Sequence, residues 1–77
     1  MSMDKVAEVK ARIAAGDLDG ALRIASRIRL TGAAGAAIHR GWEAHRRPEM
    51  YRQMGQDPAA LITAAHTELR KQFGGTL

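Results

Sequence analysis

Three observations predict an all-α fold, a small bundle of four to five short helices. Ala, Arg, Leu and Ile dominate the 77 residues, proline occurs only twice, and no stretch alternates apolar and polar residues as a strand would. Apolar residues recur instead at three- and four-residue spacing. Glycine, aspartate and proline then cut the chain into helix-length pieces.

The first helix runs from about residue 3 to Ala15. Val6, Val9 and Ile13 share a face, Glu8 and Arg12 sit one turn apart outside it, and Gly16 suits the stop. Asp17 caps a second helix, in which Leu18, Ala21, Leu22, Ala25 and Ile28 keep a helical period. Thr31 caps a third, extending to about Arg46 and carrying Ala34, Ile38, Trp42 and His45 along one side. Arg47-Pro48 breaks it, because the residue before proline is pushed out of the α region. Pro48 then opens a short helix with Met50, Tyr51 and Met54 that ends at Gly55. Asp57-Pro58 is the clearest start signal, an N-cap followed by proline in the first turn. The last helix offers Leu61, Ile62, Ala65, Leu69 and Phe73 to the core. The prediction is a single helical domain over residues 1–73 with a frayed tail at 74–77.

A chain this short buries only about 60% of the surface its unfolded form exposes. It has no cysteine and no clear metal-ligand cluster to staple the fold. Stability must come from close helix packing or from a second copy, and a homodimer is the expectation. The lack of cysteine fits a cytoplasmic protein. No apolar run approaches the roughly 20 residues that cross a bilayer, and Met1-Ser2-Met3-Asp4-Lys5 lacks the apolar segment of a signal peptide.

Charge is concentrated. Seven of the twelve basic residues (Arg23, Arg27, Arg29, Arg40, Arg46, Arg47 and Arg52) fall between residues 23 and 52, opposed there only by Glu43 and Glu49. Arg23 and Arg27 form one ridge at helical spacing, and Arg40 and Arg47 another. Arg46, Arg47, Tyr51 and Arg52 make a basic, aromatic-flanked patch suited to a phosphate backbone or to an acidic protein surface. Arg46 lies one turn after Trp42, which allows a cation–π contact, although Trp42 reads better as core than as a stacking platform. His39 and His45 fall on different helix faces and are no metal pair, while His39 and Glu43 are spaced for a surface pair. No base and orienting group stand beside Ser26, Thr31, Thr63 or Thr67, so neither enzyme activity nor a cofactor is expected.

Residues 24–41 resemble the helix-turn-helix segment of bacterial and phage DNA-binding proteins. The matching residues are Ile24, Ala25, Ile28, Leu30, Thr31, Ala34, Ile38 and Arg40, and the segment spans about a quarter of the chain. The resemblance implies double-stranded DNA as partner, with the helix after Thr31 facing it. Arg29 stands where a turn glycine is usual, and Gly35 where an aliphatic is usual. The early exposed positions, Gly32, Ala33, Ala36 and Ala37, cannot make bidentate base contacts, leaving His39 and Arg40. Most contacts would then go to phosphates. An alternative reading takes the run of Gly and Ala as a close-packing surface, within the bundle or across a dimer, because each helical glycine costs about 1 kcal/mol against alanine.

Two further likenesses exist. Gly16-Asp17-Leu18-Asp19-Gly20-Ala21-Leu22 is similar to a phrase of tetratricopeptide repeats, and Gly16, Ala21, Leu22 and Ala25 recur at Gly55, Ala60, Leu61 and Ala64. That family needs a 34-residue period in several copies, whereas the offset here is 39, and two ordinary helix starts account for it better. The whole chain, residues 47–58 above all, looks like short proteins encoded by phages and prophages of high-GC bacteria. This likeness implies either a small DNA-binding regulator or an inhibitor of a host defence complex, of the anti-CRISPR kind, acting by protein binding. Inhibitors of that kind that mimic DNA are acidic, and this chain is not, so it would act by covering a surface. A homodimeric structural module is the third reading.

Overall fold

The computed structural model describes residues 4–28 and 30–74. Five α-helices follow one another: α1 (Lys5–Ala14), α2 (Leu18–Ala25), α3 (Gly32–Arg46), α4 (Pro48–Gln53) and α5 (Pro58–Leu69), with a π-helical turn, Arg70–Gly74, continuing α5. The tail proposed for 74–77 therefore loses Gly74 to this turn, and its other residues lie outside those described.

Local chemistry sets most boundaries. Asp4 caps α1 by accepting from the Ala7 amide at 2.8 Å. At the other end Gly16, with φ +80°, turns the chain so that its amide reaches the Ile13 carbonyl and the Asp17 amide reaches that of Arg12. These two bonds make a Schellman stop that satisfies two orphan carbonyls of α1. Asp17 caps α2 through the Gly20 amide at 2.9 Å, and Asp57 caps α5 through Ala59 at 3.0 Å. The echo between residues 16–25 and 55–64 is thus two helix ends on left-handed glycines, Gly16 and Gly55, each followed by an aspartate-capped start.

Two expectations about the middle of the chain need correction. Ile28 lies beyond α2: after Ala25 the amides of Arg27 and Ile28 bond three residues back, tightening the chain out of the α-helix. Thr31 stands at the N-cap of α3 but makes no side-chain capping bond, and Gly32, at φ +76°, turns the backbone into the helix.

The bundle consists of two helix pairs. α1 packs on α2 and α3 packs along α5, while α2 contacts both α3 and α5 and the π-helical turn folds back on α1. The core is Val9, Ala21, Leu22, Ala25, Ile38, Ala65 and Leu69, flanked by Ile13, Ile24, Ile28, Leu30, Trp42 and Phe73. Val6 departs from the predicted apolar face of α1. It is 41% exposed, because it sits in the first turn beside a shallow groove shared with Ile28 and the stems of Lys5 and Lys10. Leu61 and Ile62, predicted to face the core, are only half-buried, while Ala65 is buried against Gly41 of α3.

Gly35 and Gly41 are both buried, and their close contacts lie inside the chain. A methyl on Gly41 would overlap that of Ala65 and lie 3.0 Å from the Leu61 carbonyl; one on Gly35 would strike the Leu30 carbonyl. Close packing within the bundle therefore explains both glycines. The expected homodimer draws no support from them.

Candidate nucleic-acid interface

α3 divides its residues between two jobs. Gly35, Ile38, Gly41 and Ala44 are buried, and Ala33, Ala36, His39, Arg40, Arg46 and Arg47 are exposed. The exposed stripe begins with methyl groups only and becomes cationic one turn later. Arg40 and Arg47 lie seven residues apart, two turns of helix or about 10 Å along its axis. Arg47 ends α3 and begins α4, and its non-helical backbone (φ −132°, ψ 63°) follows from Pro48 behind it.

The arginines fall into two groups. Arg46 is held by Glu43 at 3.4 Å, and Arg52 by Glu49 one turn back along α4. Arg23, Arg27, Arg40 and Arg47 are exposed and form no ion pair among the described residues. Arg29 lies outside the described residues. Tyr51 is half-buried on α4, while Met50 on the same helix is 38% exposed and Met54, just past its end, 55%.

The pairings differ from those the spacing proposed. Trp42 stacks on His45, with ring centroids 5.5 Å apart and planes 11° off parallel, while the Arg46 guanidinium goes to Glu43. Glu43 thereby serves Arg46, and His39 stands exposed without it. Arg12 reaches across the Gly16 turn to Asp17 at 3.0 Å, leaving Glu8. That contact spans five residues and a helix end, so helical spacing gives no sign of it.

A further cluster has the same origin. Asp19, in the first turn of α2, meets His66 Nε2 of α5 through Oδ1 at 3.2 Å and His45 Nε2 of α3 through Oδ2 at 3.7 Å. One carboxylate thus bridges the C-terminal turns of two helices, where an imidazole suits the negative end of each helix dipole. No group of three His, Cys, Asp or Glu among the described residues is placed to hold a metal ion.

Among the described residues, Asp17 is the ionisable group with a clear perturbation. Its carboxyl is held below the usual carboxylate value, first by the Gly20 amide that it caps and then by the Arg12 guanidinium, with desolvation opposing both.

At the corner between α2 and α3 lies a groove of about 350 Å³ lined by Ala25, Ser26, Ile28, Leu30, Gly32, Gly35, Ala36, Ile38 and His39. Ala25 and Ile38 belong to the core and Ile28 flanks it half-buried, where the helix-turn-helix likeness has Ile28 and Ile38 buried between the helices. The connection is longer than that likeness implies, with residues 26–31 between the helices where three or four are usual. No helix among the described residues is long and apolar enough to cross a membrane. Comparison with protein-family models, curated proteins and solved structures gives no match to the chain.

Proposed function

We propose that the protein binds double-stranded DNA through its phosphate backbone, as a small regulator or accessory protein with little base preference. The supporting observation is the set of four exposed arginines, Arg23, Arg27, Arg40 and Arg47, that no carboxylate of the described residues neutralises. Guanidinium groups suit phosphate oxygens because their planar donors match two acceptors at once. The amino-terminal half of the exposed α3 stripe offers only Ala33 and Ala36, which read no base edge. Backbone contacts would therefore dominate, with His39 and Arg40 nearest to any base. Replacing both Arg40 and Arg47 by Glu tests the reading. At about 50 mM salt the wild type shifts a random-sequence duplex and the double variant does not. Equal binding by the two proteins overturns it.

A second reading, covering of an acidic protein surface as an inhibitor of a host complex would do, draws on Met50 and Met54. Both are exposed, Met50 on α4 and Met54 just past its end, in the segment that carries Arg47 and Arg52, and methionine adapts well to a partner surface. The two readings separate on the variant Met50→Gln with Met54→Gln. Duplex binding ignores it, whereas a protein complex weakens and survives nuclease treatment.

A further inference from the structure

We propose that Arg12 joins Arg23 and Arg27 in a phosphodiester-binding groove between α1 and α2, and that the Asp17 carboxylate inside the groove sets how tightly it holds the strand. The inference rests on the nucleic-acid reading and extends that surface onto α1. Arg12, in the last turn of α1, lines a groove of about 340 Å³ together with Asp17, Gly20, Arg23, Ile24 and Arg27. Three arginines and one aspartate thus line a single groove. Asp17 is already committed: Oδ1 accepts from the Gly20 amide and Oδ2 from Arg12 Nη1. It forms no ion pair with Arg23 or Arg27.

Arg12 is not exhausted by that bond. A guanidinium carries five N–H donors, only Nη1 is engaged by Asp17, and the side chain is 56% exposed. The contact orients the group and leaves donors for a phosphate oxygen. Glu8 lines a separate recess with Ala11 that shares Arg12 and Ile24 with this groove, so Asp17 is the one carboxylate in the groove itself. Exposed cations hold a single phosphate poorly because water screens each pair. A polymer gains from every counterion it releases, which favours a nucleic-acid backbone over free phosphate as the occupant.

Fluorescence anisotropy of a labelled random duplex, from about 50 to about 200 mM salt, with wild type, Arg12→Gln and Asp17→Asn tests this. Asparagine caps a helix about as well as aspartate, so Asp17→Asn keeps α2 capped while removing the negative charge; thermal melts verify that each variant is folded. The expected results have opposite signs. Asp17→Asn tightens binding several-fold, and Arg12→Gln weakens it and flattens the logarithmic salt slope by about 0.9, the loss of one phosphate contact. Inorganic phosphate at matched ionic strength should compete no better than chloride. Movement of both variants in the same direction, or an unchanged slope for Arg12→Gln, overturns the groove and reduces Arg12 to a structural partner of Asp17. Competition by inorganic phosphate overturns the backbone as occupant. If the wild type itself binds no duplex, the parent reading falls, and the groove with it; if it binds and only the Arg12 and Asp17 results fail, the parent reading stands alone.

Discussion

Asp17 shows how one side chain serves structure and charge together. It caps α2, anchors Arg12 across the Gly16 turn, and sits where Arg23 and Arg27 approach. Because its carboxyl is held below the ordinary value of 3.8 in the folded chain, the ionised form favours the native state. That contribution is complete above the unfolded value and disappears as pH falls through the lower, folded one. The stability difference between wild type and Asp17→Asn should therefore stay level from neutral pH to about pH 5 and shrink below about pH 4. Urea titrations at several pH values measure it. A difference that stays level down to pH ~2, or grows on acidification, contradicts this assignment.

At the scale of elements, the α3–α5 seam depends on Gly41 meeting Ala65. Alanine at position 41 would gain about 1 kcal/mol of helix propensity, but it would also force a methyl into space already filled, which costs about 1–3 kcal/mol. Ala65 and the Leu61 carbonyl sit on a helix backbone and cannot swing aside, so the second effect wins. Gly41→Ala should lower the urea midpoint, and a raised midpoint would show that the seam has slack. The boundaries of these elements were legible because their signals are local: Asp17, Asp57, Pro48, Gly16 and Gly55 act within a few residues of themselves. The partners of Arg12, His45 and His66 in Asp17 and Asp19 were not legible, since each is chosen by a turn or by another helix arriving alongside. Arg23, Arg40, Arg46 and Arg52 lie on α2, α3 and α4, but Arg27, spaced as a helical ridge with Arg23, falls beyond the end of α2, and the sequence could not show which cations Glu43 and Glu49 would take. The Gly/Ala run was readable as close packing, while its destination inside the chain required α5 and Leu30 in place.

For the whole molecule, the core sets a limit and the surface sets the role. Among the described residues only Leu22, Ile38, Leu69 and Val9 are large and fully buried, and a domain below roughly 80 residues seldom draws more than about 3–5 kcal/mol from such a core. With so little stability in reserve, the uncompensated arginines cannot be ascribed to holding the fold together. Their counterion atmosphere provides the most direct test. Four phosphate contacts, by Arg23, Arg27, Arg40 and Arg47, predict a logarithmic salt slope of about −3.6, steepened to about −4.5 if Arg12 adds a fifth, so duplex affinity should fall at least about a hundredfold between about 50 and 200 mM salt. Steep loss of that size, independent of base sequence, is the result the account requires. No detectable duplex binding at about 50 mM, or binding that ignores salt, would contradict it.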